Sequence, residues 1–218
     1  MNTVPLEDDE QVSKTRRIVR ILLILQCADE AGFTPIPGPF IHTIAYLADA
    51  LSPVWGLPIL DAQVLKRRTR PNFPALQRDL DGMVGRGMVE VTDLNVSASA
   101  DDDAPIRASF RLTSLAEPAL SEIRHSTYFR RQFQFIREVT FAAAGLGPQG
   151  LASIGGVDAS YAEVDFGNVV DLAESRSTGI ASAQVAKRFR DLAPDSHLSD
   201  SQLVHLYLRH LHSRLYVA

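Results

Sequence analysis

Residues 73–120 read FPALQRDLDGMVGRGMVEVTDLNVSASADDDAPIRASFRLTSLAEPAL. Leu76, Leu80, Met83 and Val84 recur at helical spacing across PALQRDLDGMVG. Gly85 and Gly87 end that helix, and Met88 and the following VEV begin an extended run. SASADDDAP makes a loop, IRASFRLTS returns as a second extended run ending in Thr113, and SLAEPALSEI opens another helix. Ser114 and Glu117 stand at capping-box spacing ahead of Leu120 and Ile123. The order is therefore helix, tight turn, strand, acidic loop, strand, helix.

That order is the second half of a winged-helix domain. The expected fold is mainly α with a small β wing (α+β), a winged-helix domain followed by a C-terminal helical region. The expected division is a disordered acidic tail at 1–10, the winged-helix domain at 11–145 and the helical region at 146–218, with a soft boundary across which one core can be shared. A winged helix is a recognition unit for DNA or protein and rarely an enzyme.

Upstream, residues 12–31 carry a stripe of Ile18, Ile21, Leu22, Leu25 and Cys27 or Ala28, with Arg16, Arg17 and Arg20 on the other face and Gly32 at the end. FTPIPGPF, with three prolines, reads as an irregular bend into a helix at 39–51. LSPVWGLPIL is a second proline-rich connector around Trp55; Val64, Leu65 and Lys66 fit a short strand, and Asn72 a helix cap. Downstream, helices are expected at 128–144, at 178–192 and at 199–216, the last capped by Ser199. Residues 151–177 fit either a short helix or an irregular connector.

A chain of 218 residues with 45% hydrophobic content builds a substantial core. Its net charge of −4 restricts any nucleic-acid contact to a local patch. The single cysteine, Cys27, rules out an internal disulfide framework and fits a buried helical thiol in a reducing compartment. The start, MNTVPLEDDEQ, lacks a basic signal-peptide n-region. The run IVRILLILQCA is interrupted by Arg20 and too short to span a bilayer. A soluble cytoplasmic protein is expected.

The basic run Lys66, Arg67, Arg68 and Arg70, with Arg78 in the next helix, is the candidate DNA or partner contact. Asp79 and Asp81 on that helix and the wing triplet Asp101, Asp102 and Asp103 oppose DNA, because carboxylates repel phosphates. The triplet lacks the further ligands of an EF-hand, and His205, His210 and His212 lack a zinc-site pattern, so no metal is expected. Trp55, Leu203, Tyr207, His210 and Arg214 are candidate protein-interface residues, Tyr and Arg being common at interfaces. Asp158, Tyr161, Glu163, Asp165 and Asp171 form a loose acidic group with nothing to fix it in space. No nucleophile elbow, Walker loop or Cys-x-x-Cys occurs, so neither an enzyme nor a cofactor is expected.

PGPFIHTIAYLADALSPVWGLPILDAQVLKRR, PNFPALQRDLDGMVGRGMVEV, NVVDLAE and SQLVHLYLRHLHSRL together resemble the middle component of bacterial ABC three-component conflict systems, relatives of Lamassu-type anti-phage systems. The resemblance implies a non-catalytic winged-helix adaptor that couples an SMC- or ABC-type ATPase to an effector, with DNA as a further contact inside the complex. The other reading of the same residues is a dimeric winged-helix transcriptional regulator that binds DNA itself.

Overall fold

The computed structural model describes residues 6–67, 70–96, 106–154, 157–162, 167–172 and 180–215. The fold is α+β, mostly helical, with two small antiparallel sheets among the described residues. Helix α1 spans Leu6–Glu30. From Val19 to Ala28 almost every side chain is buried, Arg20 included, so the polar face expected at Arg20 is covered as well. Its first turns cover part of the tail expected to be disordered. Gly32 (φ 67°) closes α1 in a Schellman motif, with Phe33 N–H donating to the Ala28 carbonyl and Gly32 N–H to that of Asp29.

FTPIPGPF is not wholly irregular. Ile36–Pro37 form a short edge strand, β1, paired with Phe110 and Ser109; proline is tolerated there because an edge strand has a side that needs no donor. Helix α2, Gly38–Leu51, is buried along nearly its whole length. After a 3-10 turn come β2, Gln63–Lys66, and β3, Pro71–Asn72, and then α3, Pro74–Gly85. Pro74 occupies the first turn of α3, and the Asn72 side chain plays no capping role. A second Schellman motif at Gly87 (φ 71°) turns the chain into β4, Val89–Val96, which pairs with β5, Ile106–Leu112. The register slips between Thr92 and Asn95, where Asp93 has φ 50°. The strand order in this sheet is β1-β5-β4.

Thr113, rather than Ser114, caps the turn that follows, accepting from Leu115 N–H. Helices α4, Glu117–His125, and α5, Thr127–Ala144, lead to the short α6, Gly147–Ser153, and α7, Ala159–Ala162. Strand β6, Val169–Asp171, lies in the stretch the sequence left open and pairs with β2, giving a second sheet of order β3-β2-β6. Helices α8, Ala181–Leu192, and α9, Asp200–Leu215, complete the fold. Ser199 and Gln202 form a reciprocal capping box, each side chain bonded to the other's backbone N–H.

The packing crosses the soft boundary expected at 145/146. β2 pairs with β6, α5 packs on α9 and α2 on α8, and one hydrophobic core runs from α1 to α9. Among the described residues no helix is long and apolar enough to cross a membrane.

Candidate partner-binding groove

Helix α3 buries Leu76, Leu80 and Met83 and leaves Arg78, Asp81 and Gly82 exposed, as is Arg86 just past its end. Asp79 does not face outward as the sequence suggested: it is buried against α1, where Arg17 Nε donates to its Oδ2 at 2.7 Å. Only Asp81 of the two carboxylates reaches the outer face.

The start of α3 is fixed by His42 from α2. The imidazole stacks on the Phe73 ring, with centroids 6.3 Å apart and planes 7° from parallel. Phe73 N–H donates to His42 Nδ1 at 3.2 Å, so Nδ1 is the acceptor and Nε2 carries the proton. Nε2–H then donates to Gln77 Oε1 at 3.0 Å, and Gln77 Nε2 donates to Asp81 Oδ1 at 2.8 Å. Burial lowers the His42 pKa, with nearby Arg70 adding to the effect; the Gln77 bond and Asp81 act the other way without cancelling it. The imidazole is therefore neutral near pH 7.

Between α2, β3, α3 and the β4–β5 hairpin lies a groove of about 520 Å³. Pro39, Val84, Val91, Leu94, Ala108 and Phe110 make its walls mainly apolar, and His42, Gln77, Asp81 and Arg70 supply polar groups at one side. Leu94 is 64% exposed, and Val96 beyond it 76%. Strand β4 (VEVTDLNV) carries Glu90 and Asp93 and no basic residue. On β5, Arg111 pairs with Glu90 at 2.9 Å.

The described members of the basic run do not form one stripe. Lys66 Nζ donates to the Tyr161 carbonyl at 2.6 Å and lies 4.8 Å from that ring's centroid, while the Tyr161 hydroxyl donates to the Arg67 carbonyl at 3.0 Å. Lys66 and the Arg67 backbone thus hold α7 against β2. Arg70 borders the groove and Arg78 is exposed on α3. Arg68, the wing triplet Asp101, Asp102 and Asp103, and Glu163 and Asp165 lie outside the described residues.

Burial corrects two of the interface candidates on α9. Leu203 and Tyr207 are fully buried, because α9 turns that face onto α5 and α8 rather than outward. His210 is half-buried with its ring edge-on to Phe189, and Arg214 is exposed, donating to the Val157 carbonyl at 3.2 Å. Trp55 is half-buried and packs at a tilt on Phe135, 5.6 Å between centroids. The other two histidines part company: His205 Nε2 meets Glu138 Oε2 at 2.9 Å, and His212 packs beside Gly150.

The loose acidic group also separates. Asp158 is fully buried. Its Oδ1 accepts from Tyr46 and from the Ser160 and Tyr161 N–H groups, its Oδ2 from Tyr207 at 2.7 Å, and Ser182 Oγ lies 3.0 Å from both oxygens. This cluster joins α2, α7, α8 and α9, and sequence spacing carried no signal of it. Asp171 is part of β6.

Comparison with family models, with curated proteins and with solved structures finds no match.

Proposed function

We propose that this chain is a non-catalytic winged-helix adaptor whose groove between α3 and the β4–β5 hairpin holds a partner protein. The connectivity α1-β1-α2-α3-β4-β5, with β1 on β5 and β5 on β4, supports the winged-helix reading. The hairpin β2–β3 is an insertion on that plan, and it recruits β6 from the C-terminal region.

The observation that carries the protein-binding reading is the chemistry of the groove. Its wall exposes Leu94, and β4, the wing strand that carries it, has no Lys or Arg, whereas a wing that contacts DNA needs them against phosphate; β5 carries Arg107 and Arg111, of which Arg111 is paired with Glu90. An apolar concave face with a few polar groups at its edge suits a protein segment. Taken with the family resemblance, the partner is an SMC- or ABC-type ATPase, the complex links it to an effector in anti-phage defence, and DNA contact arises only within the complex. A cytoplasmic location follows from that role.

The test is co-purification of the tagged protein from its native host. An SMC-type ATPase recovered with the wild-type chain and lost with Leu94→Asp supports the proposal. Its absence, or recovery unaffected by Leu94→Asp, sinks it.

Arg78, exposed on α3, and Arg86, exposed just past its end, favour the second reading, a dimeric DNA-binding regulator. That reading requires the isolated chain to bind duplex DNA with a steep salt dependence that flattens in Arg78→Ala.

A further inference from the structure

At the other end of α2 from the groove, α1, α2, residues 57–60 and α5 enclose a second pocket, of about 160 Å³. Ala48, Leu57, Pro58, Leu60, Phe135 and Ile136 make its walls apolar. Its polar floor is the buried pair Arg20–Asp49, 1% and 2% exposed, in which Arg20 Nη1 and Nη2 donate to the two Asp49 oxygens at 2.8 and 3.0 Å.

Arg16 is the exposed charged residue that lines this pocket, and Arg131 stands near it. Arg16 comes from α1 and makes no ion pair with a described residue. Arg131, also exposed, donates to the Trp55 carbonyl and so stands beside the strand of loop that carries Leu57. The nearby carboxylates are already engaged: Asp49 by Arg20 and by Leu60 N–H, and Asp61 by Arg17 and Arg20.

Size decides what fits. Sites for drug-sized molecules occupy roughly 300–1,000 Å³, well above this volume. A single large apolar side chain fills it, in the manner of an interface anchor inserted into a desolvated pocket. We infer that this pocket takes an anchor side chain of the Leu, Met or Phe type from a partner protein segment that carries carboxylates beside the anchor. The pocket seats the apolar group, and Arg16 and Arg131 meet the flanking acids. The inference does not depend on the groove; with both sites, α2 becomes the element across which two different segments are held.

The test is fluorescence anisotropy with labelled nine-residue peptides of Asp and Glu flanking a central Leu, Met, Phe or Ala. Saturable binding of at least one of the first three, lost with central Ala, weakened about tenfold or more by Arg16→Glu and by added salt, and unchanged by Leu94→Asp, is expected. Ala48→Leu, which fills the pocket, abolishes binding while a thermal melt reports on folding. No peptide binding tighter than about 1 mM overturns the inference, as does equal binding to the Arg16→Glu protein. Tighter binding of phenylacetate or hexanoate than of any peptide overturns the assignment to a protein segment.

Discussion

The Tyr207 hydroxyl donates to Asp158 Oδ2 at 2.7 Å, joining α9 to the segment before α7 inside a core without solvent access. Tyr46 approaches the other carboxyl oxygen from α2, and burial together with Asp158 raises the Tyr46 pKa well above its ordinary value, so it stays a donor at all physiological pH. Such a cluster rigidifies when every member is satisfied and penalises the loss of any one. Tyr207→Phe removes one donor and little volume, and is expected to lower the unfolding free energy by about 1–3 kcal/mol. Asp158→Ala strands Tyr46, Tyr207 and Ser182 together and is expected to cost more. Urea denaturation of the two variants measures the difference; equal stability of Tyr207→Phe and wild type removes the structural role argued for the cluster.

His42 makes stability depend on pH. Its folded-state pKa is lowered by burial, so between that value and the unfolded value near 6.5 the unfolded chain binds a proton that the folded chain refuses. Stability from this group is complete above pH 6.5 and declines as pH falls through the window below it. Protonation also turns Nδ1 into a donor facing Phe73 N–H, so the start of α3 loosens. The expected result is a lower urea midpoint at pH 5.5 than at pH 7.5, with a smaller difference in His42→Leu. An unchanged difference in that variant assigns the acid sensitivity elsewhere.

The elements legible in the sequence were those set by neighbours in the chain. The α3–β4–β5 order followed from helical spacing, the Gly87 turn and two extended runs, and the Ser199–Gln202 capping box from its spacing. Elements that depend on distant partners were not legible. β1 forms through pairing with β5 despite Pro37, and β6 pairs with β2 across about a hundred residues. Asp79 looked like a surface carboxylate because its partner Arg17 lies 62 positions away. Leu203 and Tyr207 looked like an interface because an amphipathic stripe reads the same whether its cover comes from the same chain or another. The groove's apolar residues were each visible, but α2, α3 and the hairpin had to be assembled before they became one surface.

The Arg20–Asp49 pair is shut away from water and bonded in parallel through both oxygens. Desolvation raises the Asp49 pKa, and Arg20 is the largest influence opposing it. Removing one member leaves the other buried and uncompensated: Arg20→Met is expected to cost about 3–5 kcal/mol. Arg20→Met with Asp49→Leu is expected to regain most of that loss, since apolar replacements of a buried pair are often tolerated. A double-mutant cycle by chemical denaturation reads the coupling, and additive losses contradict it.

Cys27 is buried on α1 and its thiol is pushed up to about 12, chiefly by burial and secondarily by Glu30. Only the thiolate attacks disulfide reagents, and almost none is present near neutrality. Ellman's reagent is expected to label the folded protein negligibly over an hour at pH 8 and to label one equivalent after denaturation. Rapid labelling of the folded chain shows that α1 opens locally.

Leu94 lies on the wing strand at the groove's rim, contributes to no buried cluster and is mostly exposed. Its replacement therefore separates binding from folding. Leu94→Asp places a charge where a partner's apolar surface must be desolvated, so partner affinity is expected to fall by tenfold or more, roughly the effect of losing an interface anchor. The melting temperature stays close to wild type because nothing in the core has changed. Titration of the partner against both proteins by calorimetry, beside thermal melts of each, makes the comparison. A lowered melting temperature with unchanged affinity would show that Leu94 supports the hairpin and that the groove is not where the partner sits.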